Sequence, residues 1–426
     1  MRRRATAVIA ALLSVFLLTS CGNPKEFTDS EKLSAKQTRN ADISVTFNYA
    51  DGAHDPPTDY GNYINGVTEF SLSQFRALYK ENSGSFMFSP ASSALQLSLL
   101  ANAAGDTRQE ILLALGGTLT QDGLNACSSY FKSRLESVSK IGQKEAPKEQ
   151  IMLDGAMLID SSIDVKASFL QSTKDYYGFD VFRYDFNGEN SADKLDAYLK
   201  PYTSDSGIDV SKSGTLDTLC AVSVNDGWLE GYKDSNAFSG SFDGAQGKRN
   251  EVYLCSDESR MSSEKAEGIL KYTSKNPLKI VLITPKDGKA LDEYVGNLDG
   301  TELNALLGSI DITKKSAAAF PEFTIGTDGK AKAMSKSLSQ AGLYSLFSDK
   351  SSFSSLSYGK GATLGEMYDI PQEFSLTRAG INKGASGGKA AAVLKSEKDT
   401  LVFDRPFIFM LLDNESNLPV YIGVYR

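Results

Sequence analysis

The sequence predicts an α+β fold, and three observations predict it. Helical apolar spacings crowd the start of the globular region, and strand-like apolar runs recur through the rest. Third, a small-residue run, Gly380 to Thr400, feeds an apolar C-terminal hairpin beginning Leu401-Val-Phe-Asp-Arg-Pro-Phe-Ile-Phe-Met-Leu-Leu412. That run holds four glycines and three consecutive alanines. An ordinary linker would carry Pro or clustered charge and would need no alanines. Small residues suit an exposed loop, and they also suit insertion into a sheet, where each side chain must fit between neighbours.

Period 2 gives that run a second property. Its even positions, Asn382, Gly384, Ser386, Gly388 and Ala390, are all small, whereas Ile381, Lys383 and Lys389 are odd. As a central strand it could turn the even set to a tight core and the lysines to water. A surface loop with accidental parity is the other reading, and the residues alone leave both open.

At 426 residues the chain can bury a large core, as one big domain or two. Residues 1–20 read as a lipoprotein signal peptide. Arg2-Arg3-Arg4 precedes an apolar run from Ala5 to Leu18, and Leu18-Thr19-Ser20-Cys21 is a lipobox that would make Cys21 the lipidated N-terminus. The apolar run is too short to span a membrane. Residues 21–60 read as that lipidated end and a flexible polar tether, with Asp-Pro-Pro at 55–57, and residues 61–426 as the folded domain. The expected location is extracytoplasmic, anchored by lipid to a bacterial cell membrane or secreted.

Losing Arg2, Arg3 and Arg4 takes Lys+Arg from 45 to 42 against 53 Asp+Glu, a net charge of −11. An acidic chain without a basic tract is a poor nucleic-acid binder. Cys127, Cys220 and Cys255 are an odd number, so no disulfide framework follows. Cys220 lies in the apolar run Leu219 to Val224 and reads as a buried apolar residue. The single histidine, His54, sits in the tether. A serine or cysteine triad and a zinc cluster therefore have no histidine to use, and an enzyme, a metal and a cofactor are not expected.

In chain order, Phe70, Leu72, Phe75, Leu78 and Tyr79 suit a first helix over 65–80. Phe86-Met-Phe is a short strand. Ser89-Pro90 then caps a buried helix through Leu100, and Thr107 to Glu110 has capping-box spacing for the next. Here an ordered set of motifs begins. Phe-x-Phe-Ser-Pro-x-Ser-Ser-Ala-Leu and Ala-Gly-Asp-Thr-x-x-Glu-Ile come first; Ala156-Met-Leu-Ile-Asp, Tyr176-Tyr177-Gly and Asp185-Phe186 follow. Then come Thr218-Leu-Cys-Ala-Val-Ser-Val-Asn225, the strand before Pro285-Lys-Asp-Gly288, Phe320-Pro-Glu-Phe-Thr-Ile, and Phe403-Asp-Arg-Pro-Phe-Ile-Phe-Met-Leu with Val420-Tyr-Ile-Gly423. In that order, over residues 65 to 426, the set resembles the serpins.

The resemblance implies a large mixed central sheet, smaller sheets, surrounding helices and an exposed reactive loop. It also implies an inhibitor that acts as a suicide substrate. A serine protease attacks the loop and forms an acyl-enzyme, and the cleaved loop then inserts as a new strand and distorts the protease. About ten new ladder hydrogen bonds at roughly 1 kcal/mol net each would drive insertion. That rivals a whole domain's stability, so the starting fold must be kinetically trapped.

Counting back from Arg405-Pro406-Phe407 by the family's spacing puts the reactive bond at Lys395-Ser396, with Lys398 as runner-up. The first register turns the even hinge positions inward, whereas the second would bury Lys389. A lysine at the bond implies a trypsin-like serine protease as partner, met by a monomer. Hinge residues on this reading are Gly380, Ile381, Asn382, Gly384, Ser386, Gly388 and Ala390.

Departures from the family pattern concern how the sheet opens. Ala379, Ile381 and Asn382 replace the acid, Gly and Thr that head the hinge. The tryptophan after the central strand is replaced near its place by Lys233, and Trp228 stands five residues earlier. Asp196 replaces a buried Asn, and the strand before the hinge has no His. The second expectation is therefore a serpin-fold surface lipoprotein that binds or builds but does not inhibit. Gly384-Ala-Ser386-Gly-Gly388 also matches the hydrolase Gly-x-Ser-x-Gly pattern, but it lacks the following helix and the downstream histidine that this chemistry needs.

Overall fold

A computed structural model describes residues 26–34, 55–140, 150–188, 191–200, 208, 214–274, 278–286, 290–326, 330–348, 352–384, 388–395 and 399–426. The helical start comprises α1 (Tyr60–Glu81), α2 (Pro90–Ala103), α3 (Arg108–Gly116) and α4 (Gln121–Lys140), with strand β1 (Phe86–Phe88) between the first two. Helix α1 begins five residues before the span its apolar spacing predicted. Helix α2 is buried almost all round, as a helix without a polar face must be. Ser89 caps it by accepting the Ser92 N–H at 3.1 Å, and Pro90 fills the first turn. The capping box expected for α3 is absent: Thr107 is helical and caps nothing, and Glu110 accepts the Ser345 N–H instead.

The chain then alternates through β2 (Gln150–Asp160), α5 (Ala167–Ser172), β3 (Asp180–Tyr184), α6 (Ser191–Leu199), β4 (Leu216–Gly227), β5 (Ala237–Gly244), β6 (Gly247–Ser262), β7 (Ala266–Tyr272) and β8 (Leu278–Pro285). Helices α7 (Leu291–Gly296) and α8 (Gly300–Gly308) precede β9 (Lys315–Pro321), β10 (Phe323–Ile325), β11 (Lys332–Ala333) and α9 (Ser335–Gln340). The last stretch is β12 (Leu364–Pro371), β13 (Phe374–Thr377), β14 (Gly380–Ile381), β15 (Ala392–Val393), β16 (Leu401–Val402), β17 (Phe407–Asp413) and β18 (Pro419–Tyr425).

These strands make two sheets. One has the order β1-β18-β17-β8-β7-β6-β5-β15, with β9 pairing both β6 and β16. The other runs β10-β13-β14-β4-β12-β11, with β2 joining β4 to β3. The second sheet is mixed: β2 is antiparallel to β4, and β12 is parallel to it. Both of its faces are covered, which is why β4 reads as a continuous apolar run. The main core lies on one face, and a smaller cluster under α6 (Leu195, Leu199) packs on Leu219, Ala221, Tyr368 and Ile370 of the other.

Residues 26–34, inside the segment read as a flexible tether, lie against the body. Leu33 N–H donates to Val181 O at 2.8 Å and Arg183 N–H to Glu31 O at 2.8 Å, so this stretch lines the open edge of β3. Phe27 stacks on Phe182 at 4.1 Å, and Lys194 of α6 pairs with Glu31. An edge strand with unpaired backbone groups and an exposed aromatic supplies the reason. Cys21 and His54 lie outside the described residues.

Candidate reactive loop and hinge

The loop is fastened to the body at three places. At its base, β12 runs beside β4 from Leu364↔Leu216 to Pro371↔Val222, so no strand lies between them there. Above Pro371 the two part. Strand β13 continues upward, the chain turns at Arg378-Ala379, and β14 returns between β13 and β4. Its registers are Leu376↔Ile381 and Thr377↔Gly380 on one side, Gly380↔Gly227 and Ile381↔Asp226 on the other. The hinge has thus entered the sheet by two residues.

Gly380 is required at this entry. Its φ is +149°, and a Cβ there would sit 2.2 Å from the Asp226 carbonyl oxygen. Ile381 is fully buried and belongs to the main core with Phe374, Leu376 and Val224. Asn382 ends the strand in the left-handed region at φ 53°. Its N–H donates to Ser375 O at 2.9 Å, its Oδ1 accepts the Ser375 N–H at 2.7 Å, and its Nδ2 donates to Val224 O at 2.7 Å. One side chain therefore bridges the two strands that flank the gap. Gly384 is exposed with φ 71°, and Gly388 is exposed with Ala390 half-buried beyond it. Ser386 lies outside the described residues.

The turn that aims the hinge is held by an ion pair. Arg378 donates to Glu322 from its backbone N–H (2.7 Å), Nε (3.1 Å) and Nη2 (2.9 Å), and from Nη1 to Asp234 (2.8 Å). The hydrogen-bonded Glu322 carboxylate holds the guanidinium above its ordinary pKa. Trp228 Nε1 donates to Thr377 O at 2.7 Å, which ties the end of β4 to β13. Trp228 thus stands at the head of this seam, while Lys233, near the place the family pattern gives its tryptophan, is exposed. Asp196 is exposed on α6.

The second fastening is β15, which pairs in parallel with β5 at Ala392↔Phe238 and Val393↔Ser239. The third is β16 on β9, at Leu401↔Ala318 and Val402↔Ala319. Lys395 is exposed just beyond β15; Ser396 and Lys398 lie outside the described residues.

Under the closed part of the seam lies a buried polar cluster. Asp369 of β12 is register partner to Cys220 of β4, is 1 % exposed, and accepts the Ser89 N–H at 3.0 Å. Its other oxygen has no partner, and burial pushes the carboxyl up to about 7. Around it Ser92 donates to Cys220 O at 3.3 Å, Gln96 to Tyr368 O at 3.1 Å, and Thr218 to Gln96 at 2.7 Å. Cys127 and Cys220 are buried free thiols and Cys255 is half-buried. Among the described residues no group of three or more His, Cys, Asp or Glu could hold a metal ion, and no helix is long and apolar enough to cross a membrane.

The profile of the serpin (serine protease inhibitor) family matches residues 65–426. The chain belongs to the serpin family. An alpha-1-antitrypsin-like protein of Tamias sibiricus is 22 % identical over 376 residues, 84 % of this chain and 86 % of that one. Alpha-1-antiproteinase of Rattus norvegicus is 21 % identical over 393 residues, covering 87 % and 90 %. The thermophilic serpin tengpin in its native state superposes with a TM-score of 0.73 at 22 % identity, covering 88 % of this chain and 95 % of tengpin. Human thyroxine-binding globulin complexed with its hormone gives 0.71 at 16 %, covering 85 % and 98 %. This serpin has the α+β architecture with mixed sheets that its motifs implied.

Sequence reasoning missed several residues here. Nothing local marks Arg378 as the partner of Glu322, 56 positions away. Asp369 did carry a signal, as one of two acids, with Glu366, set among the apolar residues of β12. Pairing of Ala392 and Val393 with β5 carried none, since three alanines and a valine fit many strands.

Proposed function

We propose that this serpin inhibits a trypsin-like serine protease as a suicide substrate, with Lys395-Ser396 as the reactive bond. The observation that carries the reading is the seam itself. Below Pro371 it is closed and could accept a strand, while a long small-residue segment stands outside, already entered by two residues. Cleavage after Lys395 would free that segment to follow Ile381 downward, adding ladder bonds on both sides. The attached acyl-enzyme would travel with it. We place this inhibitor outside the cytoplasm as a bacterial lipoprotein held through Cys21, residues 1–20 being its signal peptide.

The test is incubation of residues 22–426 with trypsin. An SDS-resistant adduct and a higher melting temperature of the cleaved protein are expected. Lys395→Ala should abolish the adduct; an adduct that survives moves the bond to Lys398. Cleavage with neither adduct nor thermal gain would leave a second reading, a non-inhibitory binding protein. One observation favours that reading: Ile381 is a large apolar side chain seated where the hinge must start to slide.

A further inference from the structure

Resting on the reading of the loop as protease bait, we propose that residues 391–394 form a preassembled recognition strand. Strand β5 holds one edge of it, and a serine protease adds at the other edge, gripping Val393 and Lys395.

The inner edge is held by backbone. Ala391 N–H donates to Ala237 O at 2.7 Å and Leu394 N–H to Ser239 O at 2.8 Å. The Ser239 hydroxyl reaches Ala392 O at 3.5 Å. Leu394 is half-buried over Gly240, where a Cβ would come within 2.9 Å of the Tyr253 ring and 3.5 Å of Leu394 Cδ2. Glycine at 240 is what makes room for both.

The outer edge is open. In a parallel pair the residue whose neighbours bond the partner strand turns its own N–H and C=O the other way. Ala392 O and Leu394 N–H both meet Ser239, the register partner of Val393, so Val393 between them presents its backbone outward, and the residue is 69 % exposed. Lys395, two residues on, falls on the same edge of an extended chain. Strand β15 is terminal in its sheet, and an unpaired strand edge is a template for another chain. Proteases that read extended peptides use that template, taking backbone bonds for affinity and alternate side chains for specificity. Ala390, Ala391 and Ala392 put no bulk in the approach, and β-branched Val393 favours the extended form. A bond at Lys395-Ser396 puts this strand immediately before the cut. A bond after Lys398 would leave it three residues away and idle.

The experiment is amide hydrogen exchange on residues 22–426, free and bound to trypsin whose active-site serine has been replaced. Slow exchange at Ala391 and Leu394 is expected in both states, with Val393 and Lys395 turning slow only in the complex. Fast exchange at Ala391 and Leu394 in the free chain overturns the proposal, as do their loss of protection on binding and failure to bind at all. In Gly240→Val the strand is unseated without changing a residue the protease reads. Active trypsin should then cut after Lys395 with kcat/KM at least tenfold lower, the melting temperature being followed alongside; an unchanged kcat/KM in a folded variant overturns the proposal. If Gly240→Val fails to fold, the exchange measurement decides. Cutting after Lys395 without an SDS-resistant adduct, from a strand that stays protected, would remove the inhibitor reading and leave the recognition strand. An adduct formed after the strand is stripped from β5 would do the reverse.

Discussion

Arg378 and Glu322 meet where the seam begins, with the carboxylate side chain 0 % exposed and the guanidinium 17 %. Removing one partner of a buried pair leaves a charge with no counterion, which costs far more than the pair contributes. Arg378→Ala should therefore lower unfolding free energy by about 3 kcal/mol in urea titration. Asp234, 91 % exposed, should lose less than about 0.5 kcal/mol on the same change to Ala. Equal losses would mean that the pair does not anchor the turn.

Asp369 makes a pH prediction at the same scale. Its carboxyl sits at about 7 in the fold against 3.8 for the ordinary group, so the native state keeps a proton that the unfolded chain releases. Below the ordinary value both states are protonated and nothing is lost. As pH rises from there toward 7, stability falls by about 1.4 kcal/mol per pH unit, and above 7 the loss is complete. The groups facing it are the Ser89 N–H, the Ser92 hydroxyl, the Cys220 thiol and the Tyr421 phenol. Asp369→Asn should flatten the stability profile between pH 5 and pH 7; an unchanged slope would assign the titration to another group.

At the scale of the element, the hinge is a strand started and then stopped. Gly380 allows the entry, Ile381 fills the core, and Asn382 leaves the extended conformation to bond both neighbours with its side chain. Ile381, an odd position, faces the core, against the even-inward parity that the Lys395 register requires of the hinge; Asn382 breaks the extended chain here, but a strand continued through it from Ile381 would turn Lys383 and Lys389 to the core. Ile381→Ala should remove core contacts and cost about 2–4 kcal/mol, read from the urea midpoint. A loss below about 0.5 kcal/mol would show that the plug is not packed as described.

Across the whole molecule, β4 and β12 pair directly with each other, and the loop enters their sheet by only two residues. Three fastenings hold it there: two residues of β14, the pairing of β15 with β5, and β16 on β9. Residues 26–34 tie β3 to α6, which covers the other face of the same sheet. Deleting residues 22–34 should lower the melting temperature by a few degrees, the shift expected for about 1–2 kcal/mol in a domain this large. An unchanged melting point would mean that the docked stretch contributes nothing to stability.

Local rules made much of this legible. Ser89 and Pro90 announced the start of α2, the apolar run Leu219 to Val224 marked a strand with Cys220 buried in it, and the Leu401–Leu412 run marked the C-terminal hairpin. Each depends on chemistry within a few residues. Thr107 failed as a cap because its own backbone is helical, and Glu110 accepts the Ser345 N–H from far along the chain.

By itself the sequence determined individual helices and strands and a loop small enough to enter a sheet, because period, capping and residue volume act over short spans, and its ordered motifs implied the fold class through their resemblance to the serpins. Only the tertiary structure decided that Arg378 pairs with Glu322, that Trp228 fastens β13, and that β5 holds residues 391–394. Those contacts join segments far apart in the chain, and their energies come from burial and backbone pairing that exist only once the sheets have formed.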